Sequence, residues 1–110
     1  MKIDLRLSNE TITIITATLQ PVYNSKPISR RDKSTLSIAL DVVNILDKKF
    51  NHQKLKTDLF NTAKKTKVTF RHHEADMLEL LLIDQIKTVN DVYIRQQIQK
   101  VINDLNQKLA

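Results

Sequence analysis

Two short segments of strictly alternating side chains, far apart in the chain, constrain the fold most. Residues 2–7 (KIDLRL) alternate polar and apolar side chains, and residues 67–72 (KVTFRH) do the same with Val68 and Phe70 on the apolar side. Alternation with a period of two predicts half-buried β-strands. The rest of the chain has helical apolar spacing or turn residues, so the two strands are expected to pair with each other as a short ribbon.

Apolar residues at helical spacing predict about five helices. We expect them over residues 9–20, 30–50, 53–65, 73–87 and 91–109. Ser8 is the predicted N-cap of the first helix, and Asn90 or Asp91 that of the last. Residues 21–29 contain both prolines and are predicted to be a loop. The helix over 73–87 is apolar on nearly all sides, which predicts a central buried helix.

These elements predict an α+β fold, mostly helical, with about five helices around a two-stranded ribbon in the order β-α-α-α-β-α-α. The 110 residues are enough for one domain, expected to span 1–110. Lys2–Arg6 and Lys67–Arg71 match in residue type at four of five positions. One interpretation is an internal duplication that aligns Lys2 with Lys67 and Ile12 with Met77, and the other is a chance likeness.

The absence of cysteine and glycine excludes several classes of protein. Without cysteine there are no disulfides, zinc–thiolate sites or thiol nucleophiles. Without glycine there are no glycine-rich phosphate-binding loops. No apolar run approaches the roughly 18 residues of a membrane span, and the N-terminal residues lack the apolar stretch of a secretory signal. We therefore expect a cytoplasmic protein that binds no cofactor and no membrane.

The positive charge is concentrated in the middle of the chain. The net charge of +6 divides into zero over residues 1–25, +8 over 26–73 and −2 over 74–110. Such an excess predicts a surface for a polyanion, namely nucleic acid (RNA or DNA) or a nucleoprotein complex. The alternative is a solvated lysine-rich surface. The candidate binding residues are Arg30, Arg31, Lys33, Lys48, Lys49, Lys54, Lys56, Lys64, Lys65, Lys67 and Arg71.

Two arrangements of these basic residues are compatible with the pattern. The helix over 30–50 is predicted to break at Asn51 or His52, and one arrangement is a helix-turn-helix built from residues 36–50 and 53–65 with Asn51 in the tight turn. The turn glycine of that motif is missing. The other arrangement, which we favour, has the basic clusters at helix ends and turns converging on one rim.

The residues His72–Asp76 (HHEAD) are the densest group of potential catalytic or metal-binding side chains. His72 and Asp76 would share a face of a helix and could bind a divalent ion or act as acid and base. Adjacent histidines point in different directions, however, and acids in a first turn are favourable to the helix dipole. Since no nucleophile–base pair is present either, we predict no catalytic residue, no metal site and a non-enzymatic protein.

The last predicted helix carries a single apolar stripe. Its members are Ile94, Ile98, Val101, Ile102, Leu105 and Leu109. The stripe predicts either packing in the protein's own core or a homodimer through this helix. The second interpretation leads to an alternative function, a homo-oligomeric interaction, virion or scaffold module.

The segments KVTFRHHEADMLELLL and QKVINDLNQKLA resemble small accessory proteins of phages, plasmids and integrative elements of AT-rich bacteria, a class that includes anti-CRISPR proteins. The resemblance implies an inhibitor or accessory factor of a host defence or RNA-guided machine, one that acts by binding. It identifies no functional residue.

Overall fold

The computed structural model describes residues 2–24, 30–55 and 65–110, and for residues 30 and 53–55 it describes the backbone alone. The elements are β1 (Lys2–Ser8), α1 (Asn9–Thr18), a short 3-10 helix (Gln20–Asn24), α2 (Arg30–Leu55), β2 (Lys65–Arg71), α3 (His72–Ile86) and α4 (Val92–Leu109). The predicted α+β, mostly helical class is confirmed, with four α-helices in these ranges. None of these helices has both the length and the apolar character that crossing a membrane requires.

The two strands form one antiparallel ribbon, as the alternating patterns predict. Leu5 lies opposite Val68, and Lys2 lies opposite Arg71 at one end. One side of the ribbon is buried; its members are Ile3, Leu5, Leu7, Val68 and Phe70. The second strand begins and ends earlier than the predicted 67–72. Arg71 is the N-cap of α3, so His72 is already helical.

The helices begin where hydrogen-bonding side chains satisfy their first backbone N–H groups. The Ser8 hydroxyl accepts a hydrogen bond from the N–H of Thr11 at 3.2 Å. The carboxylate of Asp91 accepts one from the N–H of Ile94 at 2.9 Å. Both contacts confirm the predicted N-caps.

The apolar stripe of α4 packs in the protein's own core. Its central members, Ile98, Val101, Ile102 and Leu105, are buried, and Ile94 and Leu109 pack at the edge of the same cluster. A second copy of the chain would therefore need a different surface for a homodimer.

The predicted helix break at Asn51 or His52 is wrong, because α2 continues through both residues to Leu55. Residues 53–55 belong to α2 and Lys65 belongs to β2, so the separate helix over 53–65 is wrong at both ends; residues 56–64 lie outside the described ranges. A helix-turn-helix with its turn at Asn51 is excluded. Polar residues that are neither glycine nor proline do not end a helix by themselves.

Two other boundaries and one burial pattern differ from the expectations. The first helix ends at Thr18 instead of residue 20, and the predicted loop over 21–29 begins with the 3-10 helix, whose Val22 is buried. The helix α3 is not buried all round, since Leu80 and Ile83 are exposed while Leu78 is buried. An apolar side chain is buried only where another element packs against it, and within the described ranges one side of α3 has no such neighbour.

The order strand–helix–helix occurs twice, and the buried apolar positions of the two units correspond. Buried residues of α1 and its C-cap correspond to buried residues of α3. The difference in residue number is the same for every pair, and we call it the first offset. The pairs are Ile12 and Ala75, Ile15 and Leu78, and Leu19 and Leu82. Residues of α2 match those of α4 at a slightly smaller offset, which we call the second offset. The buried pairs are Ala39 and Ile98, Val42 and Val101, Val43 and Ile102, and Leu46 and Leu105.

The strand register and the helix contacts indicate an approximate twofold axis through the centre of the ribbon that relates the two units. At the first offset Leu5 corresponds to Val68, and these two residues are also cross-strand partners. A residue that pairs with its own equivalent must lie at the axis. The helix contacts agree, since α1 contacts α2 and α4, and α3 contacts α4 and α2. The predicted alignment of Lys2 with Lys67 is therefore wrong, because Lys2 corresponds to Lys65.

Two tyrosines join elements that are far apart in the sequence. The Tyr23 hydroxyl lies 2.9 Å from the side-chain oxygen of Asn44 and donates a hydrogen bond to the carboxylate of Asp47, both on α2. Tyr93 donates to Glu10 of α1 at 2.8 Å. The hydrogen bond to Asp47, with smaller effects of burial and of the carboxylate charge, raises the pKa of Tyr23 to about 12. The hydrogen bond to Glu10 raises the pKa of Tyr93.

We expect both tyrosines of the folded protein to ionise above the ordinary pKa of 10.0. Because the folded state binds the phenolic proton more tightly, the Tyr23 contact stabilises the fold fully below pH 10 and is lost as the pH rises towards 12. Ultraviolet absorbance of tyrosinate measures this directly, since the chain has two tyrosines and no tryptophan. The Tyr93→Phe variant isolates Tyr23. Titration of Tyr23 near pH 10 while circular dichroism still reports a folded protein would contradict the contact.

Leu78 and Leu80 provide a matched test of the packing of α3, because they lie on one helix and are 0% and 54% exposed. Leu78→Ala should lower the free energy of unfolding by about 2–5 kcal/mol, since it removes buried methyl groups and leaves a cavity. Leu80→Ala should change it by less than about 0.5 kcal/mol. Urea denaturation measures both, and equal losses would show that the packing is wrong.

Candidate nucleic-acid interface

The side of the ribbon that faces away from the core gathers charged side chains from both strands. Its exposed side chains, which we call the outer face, are Lys2, Asp4, Arg6, Lys65, Lys67, Thr69 and Arg71. Five of these seven residues are cationic and one is acidic. The alternation that buries one side of each strand places these polar residues together on the other side. The outer face therefore follows directly from the strand pattern and the register.

Two cross-strand pairs on the outer face bring like charges together. Lys2 lies opposite Arg71, and Arg6 lies opposite Lys67. Directly opposed side chains on one face have Cβ atoms about 5 Å apart, and like charges in that position destabilise a sheet. None of the five cations has a carboxylate within salt-bridge distance in the described ranges. The salt bridge found in those ranges joins Lys108 and Asp104 instead. The arrangement therefore lowers the stability of the ribbon.

Asp4 and Thr69 form the remaining pair near the centre of the ribbon. The Thr69 hydroxyl donates a hydrogen bond to Oδ1 of Asp4 at 2.7 Å. The threonine thus orients the carboxylate on the outer face. The backbone carbonyl of Asp4 also accepts a hydrogen bond from Nζ of Lys108 at 2.5 Å. This contact connects the end of α4 to the edge of β1.

A basic cleft adjoins the outer face where Ser8 pairs with Lys65. Its cavity of about 530 Å³, which we call the α4 cleft, lies between the ribbon and α4. It is lined by Arg6, Leu7, Ser8, Thr11, Lys65, Gln97, Lys100, Val101, Asp104 and Lys108. Four of these residues are cations and one is an acid, which Lys108 approaches to 3.4 Å. The cleft extends the positive surface from the ribbon onto α4.

The structure brings together some of the predicted binding residues and separates others. Lys65, Lys67 and Arg71 lie on the outer face. Arg31 and Lys33 are exposed in the first turns of α2, whereas Lys48 and Lys49 lie about 25 Å further along that helix. The backbones of Arg30 and Lys54 are helical and their side chains lie outside the described part of the chain, as do Lys56 and Lys64 altogether.

Sequence reasoning missed Lys2 and Arg6 because it summed charge along the chain. Residues 1–25 have no net charge, so their cations were not counted as part of a basic region. The register nevertheless places Arg6 beside Lys67 and Lys2 beside Arg71. The signal that would have found them is the alternation itself, read together in both strands as one polar side.

The histidines and acids at the start of α3 lie beside the outer face. His72, His73 and Asp76 are exposed on α3, and the Glu74 carboxylate accepts a hydrogen bond from the backbone N–H of Arg71 at 2.8 Å. Within the residues that the structure describes, no three histidine, cysteine or acidic side chains are placed to share an ion. The acids act here at the start of a helix, where negative charge is favourable.

Comparison of the chain with models of protein families, with curated proteins and with solved structures finds no match.

The like-charge pair Arg6 and Lys67 generates a prediction about stability. In a double-mutant cycle with Arg6→Gln and Lys67→Gln, we expect a repulsive coupling of about 0.2–1 kcal/mol at low salt. High salt should remove most of it, because the pair is exposed and screened. Urea denaturation of the four proteins at two salt concentrations measures the coupling. A coupling of the opposite sign would mean that the two side chains do not lie opposite each other.

Proposed function

We propose that this protein is a non-enzymatic nucleic-acid-binding protein and that the outer face of its ribbon binds double-stranded DNA in the major groove. The observation that supports the proposal most is the register, which gathers five cations on one exposed side; among the described residues, no carboxylate forms a salt bridge with them. Such a surface attracts the phosphates of a duplex and releases their counterions.

The shape of the ribbon supports duplex DNA in particular. Two strands lie about 5 Å apart, and the major groove of B-DNA, about 12 Å wide, admits a two-stranded ribbon. The buried side of the ribbon rests on the helices, so the outer face is held rigidly and its side chains project away from the core. Lysine, arginine, aspartate and threonine are all residues that contact base edges in that groove.

RNA fits the same surface less well. The major groove of an RNA duplex is deep and narrow, and single-stranded RNA is usually bound by aromatic side chains that stack on bases. The outer face has no aromatic residue, and Tyr23 and Tyr93 are engaged with Asp47 and Glu10 instead.

The α4 cleft supports a contact to the DNA backbone beside the groove. Lys108 is engaged with Asp104 and with the carbonyl of Asp4, so Lys65 and Lys100 supply the charge available to a phosphate. A ribbon in the groove brings the strand edge close to the sugar-phosphate backbone, where such contacts fix position without reading sequence.

Regulation or inhibition of a host defence machine stays a prediction, as does the cytoplasmic location. A DNA-binding accessory protein of a mobile element is compatible with the proposal. The homodimer through the stripe of α4 is not proposed, because that stripe packs in the core.

Labelled duplexes titrated at several salt concentrations test the proposal. The logarithm of the affinity should fall with the logarithm of the salt concentration at a slope of about −4, as expected when four or five cations contact phosphates. The variant Lys2→Glu/Lys65→Glu, which changes two exposed lysines of the outer face, should lose about 50-fold in affinity near 0.1 M salt and flatten the slope by about two. Duplex RNA and single strands should bind more weakly than duplex DNA.

The matched control is Arg31→Glu/Lys33→Glu, which makes the same change of charge at an exposed site on α2. It should affect affinity much less than the outer-face variant. Equal losses in both variants would show that overall charge attracts the DNA and that the outer face is not the site. Absence of binding to any nucleic acid at low salt, with an acidic protein bound instead, would overturn the proposal.

A further inference from the structure

The approximate twofold axis relates positions on the outer face that have different chemistry. At the first offset Lys2 corresponds to Lys65, but Asp4 corresponds to Lys67 and Arg6 corresponds to Thr69. The cross-strand pair Asp4 and Thr69 is thus related by the axis to the pair Arg6 and Lys67. The backbone repeats on the two sides of the axis, whereas the side chains next to it do not.

The pair formed by Arg6 and Lys67 offers only hydrogen-bond donors. Guanine presents two acceptors, N7 and O6, in the major groove, and arginine or lysine binds both. Adenine presents one acceptor and one amino donor there, which matches two cations less well. This side of the axis therefore favours guanine.

The pair formed by Asp4 and Thr69 favours the opposite chemistry. The Thr69 hydroxyl donates to Oδ1 of Asp4, so the oriented carboxylate can accept further hydrogen bonds but cannot donate one. In the major groove, the amino group of cytosine is the donor that a carboxylate recognises. The acceptors of guanine would be repelled, which adds discrimination against the wrong base as well as attraction to the right one.

The helices beside the ribbon differ in the same sense. At the second offset, Lys100 of the α4 cleft corresponds to Asp41 of α2. At the first offset, Thr11 of the cleft corresponds to Glu74. At these two positions the cleft has a lysine and a threonine where the other unit has acids, whereas Lys65 and Lys108 of the cleft correspond to the cations Lys2 and Lys49.

We propose that the outer face recognises a duplex DNA site that is not a palindrome. Guanine lies under Arg6 and Lys67, and cytosine lies on the complementary strand under Asp4 and Thr69, at the position related by the axis. This inference rests on the proposed function and adds to it the class of DNA sequence that the outer face recognises. The pseudosymmetric fold approaches two half-sites in the same way, and the unequal side chains make the halves different. The protein consequently binds in one orientation, with the α4 cleft on the guanine side.

Selection from a duplex library with a randomised centre tests the inference. The wild-type protein should enrich one asymmetric site, and replacing the guanine there should weaken binding about 5- to 150-fold, the discrimination that a good bidentate contact provides. The variant Asp4→Lys/Thr69→Arg makes the two sides of the axis alike and should enrich a palindrome with guanine-containing halves. Circular dichroism checks that the variant folds.

A second measurement follows the backbone contacts through the matched residues Lys100 and Asp41. On the selected site, Lys100→Asp should remove protection of the deoxyriboses on the guanine flank from hydroxyl radicals, which attack the sugars of the backbone. Asp41→Lys should add protection on the other flank. Unchanged footprints in both variants would overturn the assigned orientation.

The outcomes separate this inference from the function on which it rests. Enrichment of a palindrome by the wild-type protein, or of no sequence despite tight salt-dependent binding, overturns the inference and leaves DNA binding intact. Failure to bind any duplex overturns both.

Discussion

The packing of one side of a two-stranded ribbon against helices is the contact on which the rest of the structure depends. Two strands alone are marginal in water, so the ribbon exists because its inner side chains are buried. Leu5 and Val68 occupy the centre of that contact, and both are fully buried. Since the buried side chains stabilise the ribbon, the side chains of the outer face need not be apolar. They can therefore be charges that repel one another.

The sequence alone predicted the elements that depend on periodicity and missed those that depend on tertiary contacts. The alternation of polar and apolar residues predicted both strands, and the apolar stripe of α4 predicted four core residues. The course of α2 past Asn51 could not be predicted from local polarity, because exposed polar residues such as Asn51 and His52 are compatible with a helix and do not end it. The cap of α3 was missed since Arg71 is not a residue type that usually caps helices.

Part of the outer face was predicted from the sequence, and the part that was missed also depends on tertiary contacts. Lys65, Lys67 and Arg71 belong to the basic middle of the chain, and their inclusion needed only a sum of charges. Lys2 and Arg6 join them through a register that connects strands far apart in the sequence, which a sum along the chain does not contain. Conversely, Arg31 and Lys48 are both in the basic segment, yet a long helix separates them.

The two units of the fold agree where side chains are buried and differ where they are exposed. Buried apolar positions correspond through α1 and α3 and again through α2 and α4, because close packing allows few alternatives at an interior position. The exposed positions next to the axis carry Asp4 and Thr69 on one side and Arg6 and Lys67 on the other. A homodimer of one strand–helix–helix unit would have to present the same residues to both halves of a site. Two units in one chain are free of that constraint, and the two halves of the outer face carry different side chains at the positions next to the axis.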